Sequence, residues 1–441
     1  MITTINNKNK KPNVPNKREQ NQTCLDSAER EGLRPKGNVP NLRFPEFQGE
    51  WEKCTFDKIA QYKKGPFGSA LKKDIFVPQS KDTIKVYEQQ NAIKKDWTLS
   101  RYYITKGYFN SHMKQFVAKA GDLIVSCAGT IGEIYELPQD AEEGVFNQAL
   151  MRVQVNDEAV NKEIFITVFS SMIDKFSKIY SNGSAIKNIP PFADLKKTQV
   201  FLPCKEEQKK IAKLLALLDE RIATQNKIID KLQSLIKGLN DFLYTQYGGE
   251  VLTSFAELST SYSGLSGKSA QDFGSGKPFI TYLNVYSNNV IKENDFQYVA
   301  IKDDEKQNVV KYGDVLFTLS SETPEEVGVG SVYLGKEKVY LNSFCFGIHI
   351  TNTEVAFPPY LSYYVSLTAF RKFIYPYAQG STRFNLCKAD FEKASIKLPT
   401  LADQKRIYSI LSHIDNKIIT ERQMLDLYNS QKQYLLRQMF I

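Results

Sequence analysis

The segment LPCKEEQKKIAKLLALLDERI at residues 202–222 recurs as LPTLADQKRIYSILSHIDNKI at residues 398–418. Matched positions of the two copies are 196 residues apart throughout. Both copies place apolar residues alternately three and four positions apart, which is the pattern of a helix that buries one stripe. The repeat therefore predicts two matching helices, and the remaining sequence divides around them.

The apolar stripe of each predicted helix, here called its seam, continues well beyond the repeated segment. The first seam contains Ile211, Leu215, Leu218, Ile222, Ile229, Leu232, Ile236, Leu239 and Leu243. The second seam contains Ile407, Leu411, Ile414, Ile418, Leu425, Tyr428, Leu435 and Met439. The first polar residue of each seam, Gln225 or Glu421, stands at the same heptad position. A seam with a 3.5-residue period needs a partner helix.

Several partners could bury these seams. Each helix could pack on its own globular domain, which is the usual fate of an amphipathic helix. A helix from Glu206 to Tyr247 would be ~60 Å long at ~1.5 Å per residue, which is more than most single domains can cover. We therefore expect the two helices to pair with each other as an antiparallel coiled coil, with a homodimeric coiled coil as the competing arrangement.

Composition narrows the functional classes. The 441 residues include 58 Lys and Arg against 49 Asp and Glu, a net charge of +9 that suits a polyanionic partner without requiring one. The six cysteines lie far apart without a CxxC pair, and the three histidines are isolated, so neither a zinc site nor a disulfide framework is indicated. No apolar run reaches membrane-spanning length. We expect a soluble, cytoplasmic protein.

The chain divides into a leader and a doubled unit of domain and helix. Residues 1–40 are rich in Asn, Lys, Pro and Gln and predict a flexible basic leader. Two globular domains are predicted at 41–201 and 249–397, followed by long helices at 202–248 and 398–441. Short β-rich runs at 84–87, 122–125 and 150–155 and a helix at 163–178 predict α+β domains with strands of mixed direction. The whole is a pseudo-twofold internal repeat.

Short motifs repeat within the two domains. Gly65-Pro66-Phe67-Gly68 corresponds to Gly264-Leu265-Ser266-Gly267, and residues 121–124 correspond to 313–316. Gly183-Ser184 with Asn188-Ile189 corresponds to Gly380-Ser381 with Asn385-Leu386. The offset changes between these pairs because loops differ in length.

Polar loop residues recur in corresponding places of both domains. Lys and Ser suit phosphate contacts, and Gln and Asn can pair with adenine edges in a DNA major groove. The candidates of the first domain are Lys63, Lys64, Ser69, Lys72, Lys73, Gln89, Gln90, Asn91, Ser126 and Thr130. Those of the second are Ser266, Lys268, Ser269, Tyr282, Asn284, Ser320 and Ser321. All these types are also ordinary turn formers, so their recurrence is what favours a binding role.

Motifs of catalysis are missing from the sequence. Gly267-Lys268-Ser269 ends like a phosphate-binding loop, but Tyr262 stands where its first glycine is required. No nucleophile, base and orienting group assemble. The sequence therefore predicts neither catalytic residues nor metal ligands.

Taken together, these motifs resemble the DNA-specificity (S) subunits of type I restriction-modification enzymes. The resemblance rests on residues 40–47 (PNLRFPEF), on the two Gly-Ser…Asn-Ile/Leu…Leu-Pro segments, and on the two Gln-Lys-Lys/Arg-Ile helix starts. Residues 262–269 followed by 277–284 are similar to the opening of one of that family's target recognition domains. The long leader departs from the family pattern.

The resemblance implies a non-catalytic subunit that binds double-stranded DNA, with each domain reading one half of a bipartite target. The helices would set the spacer and dock two methyltransferase (M) subunits, and endonuclease (R) subunits would join through these. S-adenosylmethionine, ATP and Mg²⁺ would belong to the partners, with no cofactor in this chain. The alternative is a coiled-coil adaptor that presents two protein-binding domains, and the loop lysines favour DNA over it.

Overall fold

The computed structural model describes residues 37–180 and 192–440 of the chain. The leader predicted at 1–40 falls outside these ranges except for its last residues, and the Gly183-Ser184 and Asn188-Ile189 motifs fall outside entirely. The described residues form two compact units. Unit 1 extends to Ile222 and includes the chain from Leu427, and unit 2 spans Ala223–Asp426.

Unit 1 contains two four-stranded sheets. The first is antiparallel, in the order Ala60–Lys64, Leu150–Val155, Leu123–Ser126 and Ile134–Glu136. The second has the order Tyr103–Thr105, Thr83–Tyr87, Gly144–Phe146 and Val117–Ala118, with its two central strands parallel. The helices of at least six residues in this domain are Gln89–Lys94, Lys162–Tyr180 and Phe192–Lys197. The predicted mixture of α and β elements with strands of both directions is confirmed.

Unit 2 repeats the first of these sheets and varies the rest. Its antiparallel sheet has the order Ser259–Ser263, Cys345–Ile350, Val315–Thr318 and Gly330–Val332. Two three-stranded sheets follow, one of Gln297–Val299, Phe273–Ile280 and Tyr340–Leu341, and one of Ser320–Ser321, Phe384–Leu386 and Ala378–Gln379. Its helices of at least six residues are Tyr282–Ser287, Pro358–Tyr364, Thr368–Ile374 and Lys388–Lys393, besides parts of the two long helices.

A two-stranded antiparallel ribbon closes each domain next to a long helix. Glu52–Thr55 pairs with Gln199–Leu202 in unit 1, and Val251–Ser254 pairs with Ser395–Leu398 in unit 2. The long helices then run from Lys205 to Tyr247 and from Leu401 to Met439. A proline directly after each ribbon, Pro203 or Pro399, ends the strand, because proline cannot donate to the ladder.

A buried glutamine fastens the start of each long helix to its domain. The Gln208 side chain donates to the Pro203 carbonyl at 2.9 Å and accepts from the Asn161 amide at 2.7 Å. The Gln404 side chain donates to the Pro399 carbonyl at 2.9 Å and accepts from the Phe357 amide at 2.8 Å. A buried amide needs all of these partners. The Gln-Lys-Lys/Arg-Ile motif is thus the joint between domain and helix.

In unit 1, the first part of one long helix packs against the last part of the other. Ile211 and Leu215 share a core with Leu435 and Met439, and the Arg221 guanidinium lies 5.4 Å from the centre of the Tyr428 ring. The Lys432 ammonium contacts the Asp219 carboxylate. The chain directions in this contact are antiparallel, as the seams predict.

In unit 2, the remaining halves pair in the same antiparallel sense. Ile236, Leu239 and Leu243 share a core with Ile407 and Leu411. The Gln225 side-chain amide donates to the Glu421 carbonyl at 3.0 Å and also contacts its carboxylate. Hydrogen bonds from Lys417 and then Gln225 lower the pKa of Glu421. Pairing of the two helices within one chain is therefore confirmed, and each helix also packs on a domain at its start.

All predicted seam residues are buried or half-buried in the structure. The deepest lie near the domains, such as Ile211 and Leu411, while Leu232 and Leu425 in the middle are half-buried. Burial is not confined to the ends of the seam, because Ile229 in the middle is also buried.

A segment before the first ribbon joins both helices within unit 1. The Arg43 guanidinium forms a two-pronged ion pair with the fully buried Glu207 carboxylate, at 2.8 and 2.7 Å. The Leu42 amide donates to the Gln438 carbonyl at 2.9 Å. Paired, charge-assisted hydrogen bonds of this kind offset the cost of burying Glu207. The Leu-Arg-Phe-Pro motif at 42–45 therefore has a structural role.

Candidate nucleic-acid interface

Four loops of unit 1 meet at one end of its sheets, and we call this end the first loop edge. It comprises residues 64–70, 87–90, 127–131 and 147–149. Three backbone hydrogen bonds join these loops and the adjoining strand: Gly65 N to Leu150 O at 2.9 Å, Cys127 N to Ala149 O at 2.8 Å, and Asn147 N to Tyr87 O at 3.1 Å. The Gln89 side chain completes the set by donating to the Ala128 carbonyl and, at 2.9 Å, to the Thr130 carbonyl.

Unit 2 builds the corresponding second loop edge from residues 264–269, 280–284, 319–321 and 341–345. The bonds are Gly264 N to Cys345 O at 3.2 Å, Asn342 N to Ile280 O at 3.0 Å, and Leu319 N to Phe344 O at 2.9 Å. A hairpin at 378–386 joins this edge through Leu386 N to Leu319 O at 2.8 Å. The Tyr282 hydroxyl donates to the Ser320 carbonyl at 2.8 Å.

The first glycine of each repeated loop motif is required by a close backbone approach. A Cβ atom on Gly65 would lie 1.9 Å from the Asn147 carbonyl oxygen, and one on Gly264 would lie 2.0 Å from the Asn342 carbonyl oxygen. No side chain fits at such distances. The glycines therefore allow the two loops of each edge to touch.

Candidate residues of the first domain differ widely in exposure. Those exposed are Lys64, Ser69, Lys72, Lys73, Gln90 and Thr130. Lys63 is half-buried, with its ammonium 2.8 Å from the Gln115 side-chain oxygen and 5.0 Å from the centre of the Phe116 ring. Gln89 is half-buried and holds two loops together through its side-chain amide. The exposed residues can contact a ligand directly, whereas Lys63 and Gln89 contact neighbouring parts of the domain.

Two further candidates of the first domain are buried supports. The Asn91 amide donates to the Asp96 and Leu99 carbonyls at 2.9 and 2.8 Å and is 2% exposed. The Ser126 hydroxyl is inaccessible and accepts from the Glu133 amide at 2.9 Å. Direct contact of either with DNA, as predicted from the sequence, does not fit this placement, because each already satisfies buried backbone groups.

In the second domain only Ser266 and Ser269 of the candidates are exposed. Asn284, Ser320 and Ser321 are buried, and Asn284 donates to the Lys292 carbonyl at 3.0 Å. Tyr282 is half-buried against Ser320, and Ser269 caps a short turn through Asp272. A direct contact of the buried three with DNA likewise does not fit their placement.

Lys268 is engaged inside the second domain. Its ammonium lies 2.6 Å from the Ala300 carbonyl oxygen and forms an ion pair with Glu305. Hydrogen bonds from Lys268 and then Gln307 lower the pKa of the Glu305 carboxyl. A paired lysine has less charge to offer to a phosphate, so the prediction of a phosphate contact does not fit this residue.

Several exposed side chains at the loop edges were not predicted from the sequence. On the first edge these are Phe67, 89% exposed, and Gln148. On the second they are Leu283, Phe344 and Arg383, and the Arg383 guanidinium lies 5.7 Å from the centre of the Phe344 ring. An apolar residue between Gly and Pro, as in Gly65-Pro66-Phe67-Gly68, is the sequence signal that could have found one of them.

A buried carboxylate supports the opposite end of the main sheet in each domain. Asp122 accepts from the Lys119 amide at 3.0 Å and from Gln154 at 2.8 Å. Asp314 accepts from the Lys311 amide at 2.9 Å and lies 2.6 Å from the His349 ring nitrogen. Burial, and then the charge of Asp314, raise the pKa of the Tyr262 hydroxyl that also contacts Asp314. Tyr262 therefore remains a proton donor, and the group holds strands together.

Within the described ranges, no three His, Cys, Asp or Glu side chains are grouped so as to hold a metal ion. The cysteines in those ranges are free thiols. None of the helices described has both the length and the apolar character needed to cross a membrane.

The long helices carry apolar residues on their outer faces as well as along the seam. On the first helix these are Leu217, Ile228, Leu235 and Phe242, and on the second they are Ile410, Ile419, Met424, Leu427 and Tyr434. Between them stand exposed charged residues such as Lys227 and Arg422. Rows of exposed apolar residues on long helices are typical of protein-binding surfaces.

The architecture and sequence match a known family. The model of the type I restriction modification DNA specificity domain matches residues 48–234 and 264–427. A protein of Methanocaldococcus jannaschii assigned as the specificity subunit of type I restriction enzyme MjaX is 26% identical, over 83% of this chain and 92% of that protein. The type I restriction enzyme MjaVIII specificity subunit of the same organism is 22% identical, over 86% and 89%.

A solved structure shows the same fold. It is a chain from work on complex assembly and conformational transition of the type I restriction-modification system. It aligns with a TM-score of 0.55 at 16% identity and covers 88% of this chain and 95% of that chain.

Proposed function

Because this chain belongs to the family of type I restriction-modification DNA specificity subunits, which recognise DNA targets and are not catalytic, we propose that each loop edge reads one half of a bipartite sequence. The first edge would read one half-site and the second the other. The target recognition domains would be residues 41–201 and 249–397, and the helices at 202–248 and 398–441 would set the spacer between the half-sites.

The observation that carries this proposal is the pair of equivalently built loop edges with different exposed side chains. The edges share their glycines and their inter-loop hydrogen bonds. They differ in what they offer to a ligand: Lys64, Phe67 and Gln90 on the first, and Leu283 and Arg383 on the second. A bipartite and asymmetric target calls for two such readers on one frame, since base contacts specify and phosphate contacts position.

Charge supports DNA as the ligand of the first edge. Lys64, Lys72 and Lys73 are exposed on or beside the loop that carries Phe67. No ion pair joins these three lysines to a carboxylate in the described part of the chain. Lysines of this kind release counterions when they meet phosphates, which gives affinity that falls steeply with salt.

The outer faces of the long helices are the proposed docking sites for two methyltransferase subunits. Their exposed apolar residues, such as Leu235 and Leu427, would be covered by these partners. Endonuclease subunits would join through the methyltransferases. S-adenosylmethionine, ATP and Mg²⁺ would be bound by those subunits, and the assembly would work in the cytoplasm.

Methylome sequencing tests the proposal directly. Cells that express this chain with its methyltransferase partner are expected to acquire methylated adenines in one two-part motif with a fixed spacer. Cells that express the methyltransferase alone provide the control and should lack the motif. Partner-dependent protein binding without any methylated motif would instead favour the coiled-coil adaptor.

A further inference from the structure

Phe67 is the most exposed of the large apolar side chains at either loop edge. It is 89% exposed, against 68% for Leu283 and 54% for Phe344 on the second edge. Exposed apolar residues are common on protein surfaces and need no ligand by themselves. The Phe67 loop, however, is packed so that its backbone is fixed, and a fixed and exposed aromatic ring is suited to binding.

The loop fixes the Phe67 backbone from both sides. A Cβ on Gly65 would collide with the Asn147 carbonyl, and one on Gly68 would lie 2.6 Å from the Gln148 side-chain oxygen. Pro66 is buried, and the Phe67 carbonyl accepts from the Ala70 amide at 2.9 Å. The ring therefore stands in solvent on a packed support, where little backbone entropy remains to be lost on binding.

The surroundings of the ring are cationic and polar. Lys64 and Ser69 are exposed on the same loop, Lys72 is exposed just after it, and Gln90 is exposed on a neighbouring loop of the same edge. Lysines and serine suit phosphates, and a glutamine amide pairs best with adenine in the major groove. An adenine in that groove is always opposite a thymine, whose C5 methyl group is the apolar feature of the groove.

Resting on the proposed function, we propose that Phe67 is a specificity-determining residue that packs on the C5 methyl group of a thymine in the first half-site. A phenyl ring can make no hydrogen bond to a base edge, so apolar contact is its available form of readout. At the corresponding position of the second edge stands Ser266, which lacks a ring. The discrimination belongs to the first half-site only.

The test removes the methyl group from the DNA and the ring from the protein. The full chain, assembled with its methyltransferase partner, is bound to target duplexes in which each thymine of the first half-site is replaced in turn by uracil. At one position the native complex should lose about fourfold in affinity, which is what burial of one methyl group is worth. Phe67→Ala should bind thymine and uracil equally there, and Phe67→Leu should keep part of the preference.

Two controls separate this result from general damage. Phe344→Ala removes an exposed ring from the second edge and should leave the uracil pattern of the first half-site unchanged. Thermal unfolding of Phe67→Ala should match the native chain, since the ring is exposed.

The possible outcomes are distinct. Equal uracil sensitivity in Phe67→Ala and the native chain overturns the assignment, as does a first half-site that has no thymine on either strand. A different result would be no uracil effect together with a rise in the fluorescence of 2-aminopurine, placed in the first half-site, on binding of the native complex but not of Phe67→Ala. That result would overturn the methyl contact and show that the ring inserts between base pairs. Absence of any sequence-specific binding by the native complex rejects the proposed function itself.

Discussion

The two loop edges agree in what supports them and differ in what they expose. Asn91 and Asn284 occupy corresponding helices, and each bonds the carbonyl eight residues further on, at 2.8 and 3.0 Å. Corresponding exposed residues, in contrast, differ in type: Phe67 corresponds to Ser266, and Gln90 corresponds to Leu283.

Polar residues that recur in both domains suggest a binding role in the sequence, but in the structure recurrent residues such as Asn91 and Asn284 support the loops. A residue that performs the same structural task in both domains is kept the same, as the two asparagines show. Side chains that read different half-sites must differ, because each base pair presents its own pattern in the major groove. Recurrent residues therefore mark the frame, and the readers are found where corresponding positions disagree.

Exchange of one domain is the strongest way to break the comparison. Replacing residues 50–198 by the matching domain of another family member should change the first half-site completely and leave the second half-site and the spacer as they were. The physical reason is that the second edge is built entirely within unit 2. Methylome sequencing of the chimera checks this, with the reciprocal exchange of 249–397 as control. A change in both half-sites would refute independent reading.

Shortening the helices tests the frame and spares both edges. Removing residues 226–232 together with the facing residues 414–420 keeps the Gln225 and Glu421 pair in place and should shorten the pair by ~10 Å. At ~3.4 Å per base pair, the spacer should decrease by about three base pairs with both half-sites unchanged.

The spacer of the shortened variant is read from its methylated motif. A variant that exchanges the same fourteen positions for another helical sequence of equal length, with the seam residues retained, serves as the matched control. An unchanged spacer in the shortened protein would show that the helices do not set it.

The frame could largely be predicted from the sequence, because periodicity and repetition report it. The seams from Ile211 to Leu243 and from Ile407 to Met439 are apolar at positions set by helix geometry alone. The sequence predicts the strand at 150–155 with its observed bounds, and the predicted helix at 163–178 is observed as Lys162–Tyr180. Such elements depend on local pattern, which a single sequence contains.

The site could be predicted only in part, because exposure depends on tertiary contacts. Asn91 and Ser126 look like ligand-binding residues in the sequence, but in the structure both side chains are buried and form hydrogen bonds with backbone groups. Phe67 looks like a core residue and is exposed. The Lys268 ammonium already forms an ion pair with Glu305, which is 37 residues away along the chain. No local pattern reports such distant partners.

At the second edge, Arg383 offers the sharpest single-residue test. Its guanidinium is exposed and stands over the Phe344 ring, and arginine pairs with guanine O6 and N7 through two hydrogen bonds. Arg383→Ala should reduce discrimination at one position of the second half-site by about 5- to 150-fold, corresponding to ~1–3 kcal/mol. Competition binding with every single-base variant of the target measures this. Arg101→Ala, which removes an exposed arginine from unit 1, should leave the second half-site intact.

The smallest expected effect distinguishes free from paired lysines. Lys64→Ala, Lys72→Ala and Lys73→Ala should weaken binding to all sequences alike and reduce the slope of log affinity against log salt by about one per lysine. Lys268→Ala is the matched control, because it removes the same charge from a lysine held by Glu305 and the Ala300 carbonyl. It should lower the thermal unfolding midpoint and leave the salt slope unchanged. If Lys268→Ala reduced the slope of log affinity against log salt by the same amount, this lysine would exchange its internal partners for phosphate on binding. The two edges would then resemble each other more in their contacts to the DNA backbone than in their contacts to bases.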